Sequence, residues 1–183
     1  MKIKLVSWDI DGTLYSLPEL RLRLMWKLIS RGRGRELSEM RALHKWLDGQ
    51  RSINHSRVDP EAWLKWQNVF DREVEVISEV LSRMSPRAEV TRRIAEYKAQ
   101  GVIQVTLSDL DAGDKLGALG LESAFEKSFS CREIGFWKPS VIPFERVRAE
   151  FGVAPEEHLH LGDRDETDGD GARASGCRFE LIK

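Results

Sequence analysis

The chain has 183 residues, of which 41% are hydrophobic and 32% charged, and its formal net charge is −1. This length and composition are typical of one soluble globular core with a modest insertion. The near-neutral charge excludes a general attraction to nucleic acid or anionic membranes, and no apolar segment approaches the length that spans a bilayer. We therefore expect a cytoplasmic protein with no nucleic-acid or membrane partner; its oligomeric state is not predicted.

The first predicted strand covers Lys2 to Val6, and two aspartates follow it. Side chains alternate along a strand, so Asp9 and Asp11 would point the same way, and Gly12 lets the backbone turn after them. Two carboxylates that close repel each other unless a cation lies between them or one takes up a proton. The pair therefore predicts a metal site, a proton-transfer role, or both; an ordinary surface turn is the alternative.

The segment from residue 16 to residue 85 is predicted to contain three helices and no strands. Apolar residues recur at three- and four-residue steps after Leu17 and again from Leu37 to Leu47. A third helix is predicted to begin at Asp59-Pro60, an N-cap residue followed by proline at the first helical position, and to end near Met84. We expect residues 16–85 to form a small helical domain.

Aromatic and basic residues of this segment leave two interpretations open. Its tryptophans would pack in the helical core or stack on a ligand, and we favour the core. Its arginine-rich loop would be solvated or would bind a second anionic group, and we favour solvation. The tryptophans are Trp26, Trp46, Trp63 and Trp66, and the arginines are Arg31, Arg33 and Arg35.

Helices and strands are predicted to alternate after Pro86. Helices are predicted at 87–100, 111–119, 143–151 and 169–175, and strands at 102–107, 125–130, 158–161 and 177–182. This alternation indicates βαβ units, so residues 1–15 and 86–183 should form an α/β core of three layers, a Rossmann-like parallel sheet between helices. Sites in such sheets lie at the carboxyl ends of the strands.

Other predicted strand ends also have polar residues. Ser108 and Asp109 follow one strand, where a hydroxyl and backbone amides would bind phosphate oxygens or cap the next helix. Lys138 precedes Pro139 in a loop, and such a lysine is either a solvated surface group or the cation that offsets a phosphate.

The strand at 158–161 is followed by an acidic loop that includes Asp163 and Asp168. Several carboxylates at one strand end repel each other without a cation, and Mg²⁺ takes oxygen ligands of this kind. A solvated acidic surface loop is the alternative.

Taken together, these motifs resemble the haloacid dehalogenase superfamily in its phosphatase form. The resemblance covers residues 1–15 and about 86–183, and the helical segment 16–85 lies where that family has its C1 cap domain. Asp109 departs from the family pattern, which often has Asn there. The matching motif residues, in chain order, are Asp9, Asp11, Ser108, Lys138 with Pro139, and Asp163 with Asp168.

The resemblance implies a Mg²⁺-dependent phosphohydrolase acting on a small phosphorylated metabolite. Asp9 would be the nucleophile that forms an aspartyl-phosphate, and Asp11 would transfer protons. Asp9, the main-chain carbonyl of Asp11, and Asp163 would hold Mg²⁺.

The remaining motif residues would bind the phosphoryl group. The resemblance implies that Ser108 and Asp109 contact its oxygens and that Lys138 neutralises its charge. Asp168 would orient Lys138 or bind a metal-bound water.

Several other functions stay open. Asp11 argues against a dehalogenase, which lacks an aspartate there, whereas a phosphomutase of the same superfamily would keep every motif residue. A phosphonatase would need a cap lysine, for which Lys27, Lys45 and Lys65 are candidates. A non-catalytic interaction protein on the same scaffold is the alternative from another class.

Overall fold

A computed structural model of the chain describes residues 2–51 and 57–183. The strands are β1 (Leu5–Trp8), β2 (Ile103–Ser108), β3 (Lys127–Ser130), β4 (His158–Gly162) and β5 (Arg178–Leu181). The helices are α1 (Leu17–Ser30), α2 (Gly34–Gln50), α3 (Pro60–Leu81), α4 (Ala88–Ala99), α5 (Lys115–Ala118), α6 (Cys131–Ile134), α7 (Val141–Phe151) and α8 (Asp170–Ala174). Short 3₁₀ turns occur at Glu122–Ala124 and Pro155–Glu157, and one π-helical turn at Asp165–Gly169.

The five strands form one parallel sheet in the order β3-β2-β1-β4-β5. Strand β1 lies at its centre, paired with β2 on one side and β4 on the other, and all of its residues are buried. A strand covered on both faces has a continuous apolar sequence, as at Leu5 and Val6. The predicted parallel α/β architecture is therefore confirmed.

The three long helices α1, α2 and α3 follow β1 and pack against one another. Ser16 is the N-cap of α1 and Asp59 is the N-cap of α3. The side chain of each accepts a hydrogen bond from a backbone amide in the first turn of its helix. Leucines at helical spacing, such as Leu20 and Leu24, are buried against α3 residues in one hydrophobic cluster. The division into a core and a cap of residues 16–85 stays a prediction.

Several local predictions differ from the structure. Strand β1 runs to Trp8 rather than stopping at Val6, and the helix predicted at 111–119 is reduced to Lys115–Ala118. Gly113 has a φ of +50°, which a regular α-helix does not allow, so the helix begins only after this residue. Trp26 is 66% exposed, so the expected core position is wrong for that tryptophan.

The other tryptophans and the arginine loop agree better with their favoured interpretations. Trp63 is buried, and Trp46 and Trp66 are partly buried beside it, with ring centroids 6.0 Å apart for Trp46 and Trp66. Arg31 and Arg33 pair with carboxylates of the helical segment instead of facing a ligand. Within residues 2–51 and 57–183, none of the helices has the length and apolar character needed to cross a membrane.

Candidate active site

The carboxyl ends of β1, β2 and β4 bring the candidate residues to one edge of the sheet. Asp9 follows β1 directly, and its backbone amide donates a hydrogen bond to the Leu161 carbonyl on β4 at 2.8 Å. Ser108 ends β2, and Asp163 follows β4. Because the strands are parallel and in register, their ends meet here, as the sequence predicts.

Lys138 is the buried cation of this edge. Its Nζ donates hydrogen bonds to Asp9 Oδ1 at 2.7 Å and to Asp168 Oδ1 at 2.6 Å, and its side chain is only 2% exposed. Burial opposes its charge, but Asp168 and Asp9 outweigh that cost and hold the pKa of Lys138 well above its ordinary value. The surface-lysine alternative is therefore excluded.

The two carboxylates beside Lys138 differ in their proton affinity. Burial, together with the charges of Asp168 and Asp163, raises the pKa of Asp9 to about 8 although Lys138 opposes the shift. Burial also acts on Asp168, but the charge of Lys138 and a contact with His160 outweigh it and lower the pKa of Asp168. Asp168 is thus held in its anionic form in contact with Lys138, and its role in orienting Lys138 or binding a metal-bound water stays a prediction.

Asp9, Asp163 and Asp168 form a carboxylate cluster whose nearest oxygens all lie within 4.8 Å of one another. Both Asp168 oxygens already accept hydrogen bonds, from Lys138 Nζ and from the Arg164 backbone amide. Among the residues that the structure describes, Asp163 has no ion pair and no hydrogen bond to another residue. Burial raises its pKa, although the charges of Lys138 and Arg164 and a hydrogen bond from its own backbone amide oppose the shift. This all-oxygen donor set fits a hard divalent cation such as Mg²⁺.

Gly12 packs directly under that cluster. Its φ is +96°, and a Cβ added there would overlap the Oδ2 atom of Asp163. Only glycine therefore satisfies both the turn after Asp11 and the position of the Asp163 carboxylate.

Asp11 does not join the carboxylate cluster, although the sequence predicts that it crowds the same spot as Asp9. Lys115 Nζ donates to both Asp11 oxygens at 2.8 Å, and the Tyr15 hydroxyl also donates to Asp11. Burial opposes its charge, yet Lys115 and Tyr15 hold the pKa of Asp11 below its ordinary value. Lys115 was not predicted as a site residue, since it lies 104 positions from Asp11 and in no motif.

Ser108 and Asp109 occupy different surroundings at the end of β2. Ser108 is 2% exposed and lines the cavity above Asp9. Asp109 Oδ1 accepts a hydrogen bond from the Lys138 backbone amide at 3.1 Å, and Asp109 Oδ2 accepts one from Arg51 at 2.6 Å. Asp109 therefore joins the Lys138 loop to the end of α2, a contact that no sequence pattern indicates.

A buried hydrogen-bond chain lies behind Asp168. Ser7 Oγ is 2.7 Å from His158 Nε2 and 2.7 Å from His160 Nδ1, and His160 Nε2 lies 3.5 Å from Asp168 Oδ1. Burial lowers the pKa of His158 to about 3 and also lowers the pKa of His160, so both rings are neutral at pH 7. This chain was not predicted, because Ser7 and the histidines have the sequence context of ordinary strand residues.

A cavity of about 940 Å³ separates the sheet edge from helices α1, α2 and α3. Its floor includes Asp9, Ser108 and Lys138, and its opposite wall is built from the helical segment. The sequence offers Lys27, Lys45 and Lys65 as candidate cap lysines of a phosphonatase. Among the described residues that line this cavity, Lys45 is the one member of that set. A ligand in this cavity would therefore contact both the sheet edge and the helices.

The sequence matches a family model, and curated proteins resemble it. The model described as haloacid dehalogenase-like hydrolase matches residues 3–176. A phosphoserine phosphatase of Thermus thermophilus is 35% identical over 97 residues, which are 51% of this chain and 38% of that protein. A glyceraldehyde 3-phosphate phosphatase of Methanopyrus kandleri is 28% identical over 193 residues, covering 95% of this chain and 81% of that protein. The chain thus spans well under half of the first relative and most of the second.

Solved structures share the fold. The HAD-hydrolase YfnB of Bacillus subtilis, bound to magnesium, superposes with a TM-score of 0.73 at 15% identity, and the match covers 100% of this chain and 89% of that one. At that identity the likeness shows the fold alone.

Proposed function

We propose, from the premise that the chain belongs to the haloacid dehalogenase-like hydrolases, that it is a Mg²⁺-dependent phosphatase of a small phosphorylated metabolite. The observation that carries the proposal is the environment of Asp9. Its buried carboxylate contacts Lys138 at 2.7 Å and lies within 4.8 Å of a carboxylate oxygen of Asp163. The curated relatives named as phosphatases support the same reaction. A soluble substrate of this kind also agrees with the expected cytoplasmic location.

Asp9 is the proposed nucleophile. One carboxylate oxygen attacks phosphorus and the bond from phosphorus to the ester oxygen breaks, which gives an aspartyl-phosphate. Water then attacks the phosphorus, the bond to Asp9 breaks, and inorganic phosphate leaves. Thr13 Oγ1 donates to Asp9 Oδ2 at 3.2 Å while Lys138 contacts Oδ1, so both oxygens are held in a defined orientation.

Mg²⁺ would be held by the Asp9 carboxylate, the main-chain carbonyl of Asp11, and Asp163. The ion would supply positive charge that favours the ionised form of Asp9, whose pKa burial raises to about 8. The same charge would reduce the repulsion between that carboxylate and an anionic phosphoryl group. Lys138 adds a second, permanent positive charge at the same place. The Ser108 hydroxyl and the turn at Asp109 bind the phosphoryl oxygens.

Asp11 is the proposed acid and base. It lines the same cavity as Asp9 and would protonate the leaving oxygen, then deprotonate the attacking water. Lys115 and Tyr15 keep it anionic here, so taking up a proton requires the Lys115 contact to loosen when substrate is bound.

The test is phosphate release from a panel of phosphorylated metabolites, with and without Mg²⁺. We expect Asp9→Asn to lower kcat by about 10⁴-fold or more, as loss of a nucleophile does. Asp165→Asn is the matched control, because Asp165 is exposed on the following loop and pairs only with Arg173 among the described residues. Release that persists in Asp9→Asn, or interconversion of esters without release, would overturn the phosphatase proposal; the second result would indicate a mutase.

A further inference from the structure

The helical wall of the cavity contains basic side chains that have no partner. Arg21 on α1 and Arg41 and Lys45 on α2 all line the cavity. None of these three makes a hydrogen bond or ion pair through its side chain within residues 2–51 and 57–183. They share this cavity with Asp9.

This lack of partners distinguishes the three from most basic residues of the helical segment. Residues 16–85 contain 13 Lys and Arg. Seven of them pair with carboxylates, and of these only Arg51 lines the cavity. The seven are Arg23, Lys27, Arg31, Arg33, Arg35, Arg51 and Arg72. Arg57, Lys65 and Arg83 are also unpaired in the described structure but are not among the residues lining this cavity.

Acidic residues on the same wall do not neutralise these cations. Asp48 is engaged by Arg51 at 2.6 Å and by Arg164 at 3.3 Å, and Glu73 is engaged by His44 at 2.7 Å. The described wall therefore has a net positive charge, which favours an anionic ligand.

Geometry lets the three cations converge on one group. Arg41 and Lys45 are four residues apart on α2, so they lie one above the other on one helix face. Arg21 lies on the neighbouring helix, and all three side chains are long and exposed to the cavity. Guanidinium and ammonium groups arranged in this way bind carboxylate or phosphate oxygens with charge-assisted hydrogen bonds.

Apolar residues line the same cavity as these cations and the sheet edge. They include Leu24, Met40 and Ile77, which are buried residues of α1, α2 and α3. The carbon body of a ligand would therefore have apolar contacts in this cavity.

We propose that Arg41 and Lys45, with Arg21, form a second anion subsite, and that the substrate is a phosphate monoester with another anionic group at the far end of a short carbon body. This inference rests on the proposed phosphatase function and names its substrate class. A terminal carboxylate and a terminal phosphate share the required chemistry, and the test separates them.

The probes are n-butyl phosphate, its derivative with a terminal carboxylate, and its derivative with a terminal phosphate. We expect the wild-type kcat/KM for at least one anionic derivative to exceed that for n-butyl phosphate by about tenfold or more. In the double variant Arg41→Gln, Lys45→Gln that ratio should fall to near one. The derivative with the larger ratio identifies the preferred anion.

Lys65→Gln is the matched control, since Lys65 is an exposed, unpaired lysine of α3 outside the cavity lining. It should keep the wild-type ratio. Thermal unfolding of each variant, compared with wild type, checks that the fold is kept.

Two failures are distinguishable. If esters are hydrolysed but the ratio is the same in the double variant and wild type, the subsite is wrong while the phosphatase stands. If no ester is hydrolysed, calorimetric binding of the three probes to the Asp9→Asn protein still tests the subsite, since binding needs no turnover. Equal affinity of the Asp9→Asn protein for all three probes would overturn the proposed anion subsite.

Discussion

Charged side chains at the sheet edge are buried and paired, whereas three basic side chains on the helical wall of the cavity are exposed and have no partner among the described residues. At the edge, Lys138 is buried between two carboxylates and holds both of them in fixed contact. On the wall, Arg41 and Lys45 are exposed to the cavity and unpaired within the described structure. Under the proposed function, the groups at the edge are organised before substrate arrives, whereas the proposed subsite on the wall takes its counter-charge from the ligand.

The largest effect is expected from a substitution that moves the Asp163 carboxylate at the sheet edge. Gly12→Ala places a Cβ where Asp163 Oδ2 already lies, so the carboxylate has to shift. We expect Mg²⁺ affinity and kcat/KM to fall by about 10- to 100-fold, as for other losses of metal-site geometry. Activity titrated against Mg²⁺ measures the change.

Gly32→Ala provides the control for this substitution. Gly32 also has a positive φ, +69°, but a Cβ added there would have no neighbouring atom within 4 Å. The variant should lose about 1 kcal/mol of stability from backbone strain and keep its Mg²⁺ affinity. Equal Mg²⁺ affinities for the two variants would show that the edge tolerates displacement of Asp163.

A smaller effect, on the free energy of unfolding, is expected from the buried hydrogen-bond chain behind Asp168. Ser7→Ala removes the hydroxyl between His158 and His160 and leaves two buried ring nitrogens without that partner. We expect the free energy of unfolding to fall by about 1–3 kcal/mol. Urea denaturation measures it.

Thr106→Val is the corresponding control on β2. Thr106 is fully buried, and its Oγ1 has no hydrogen-bond partner in the described structure. Replacing this unpartnered buried hydroxyl with a methyl group should leave the unfolding free energy unchanged or raise it, by at most about 1–3 kcal/mol. A similar loss for Ser7→Ala and Thr106→Val would argue that the Ser7 hydrogen bonds do not support the edge.

The smallest effect is expected at the wall, where His44 pairs with Glu73. Burial opposes the charge on His44, but the hydrogen bond and charge of Glu73 outweigh it and raise the pKa of His44 above 6.5. The pair therefore stabilises the protein fully below pH 6.5 and loses this contribution as pH rises through the higher folded-state pKa. Because the His44 side chain is 54% exposed, we expect at most about 1 kcal/mol.

His44→Gln measures that contribution. Unfolding free energies of wild type and variant should differ below pH 6.5 and converge once the pH is well above the raised folded-state pKa of His44. A difference that grows with pH would contradict the assigned sign.

Most of the sheet edge was predictable because parallel strands end together. Asp9, Ser108 and Asp163 follow three strands that the apolar pattern identifies, and the regular geometry of βαβ units places those ends side by side. Lys138 was predictable from its fixed loop position before Pro139, together with the family resemblance. Local patterns were sufficient for these residues.

Partners brought together by tertiary packing were not predictable. Lys115 contacts Asp11 across 104 positions, and Arg51 contacts Asp109 across 58. A lysine after a turn and an arginine at a helix end have the same sequence context as solvated surface residues. Their roles depend on how the helices pack over the sheet, which spacing along the chain does not specify.

The hydrogen-bond chain behind Asp168 starts at the guanidinium group of Arg148, which can only donate hydrogen bonds. Arg148 Nη1 donates to Cys177 Sγ at 3.0 Å, and Cys177 Sγ lies 3.1 Å from His158 Nδ1. The thiol is therefore free to use its hydrogen toward His158, whose Nδ1 accepts it.

The other end of the chain can only accept, because Asp168 is a carboxylate. His160 Nε2 must then hold the ring hydrogen, its Nδ1 accepts from the Ser7 hydroxyl, and Ser7 accepts from His158 Nε2. Both imidazoles are consequently locked as the Nε2–H tautomer, and every bond in the chain points the same way. The sheet thus has an internal dipole directed at the carboxylate that holds Lys138 in place.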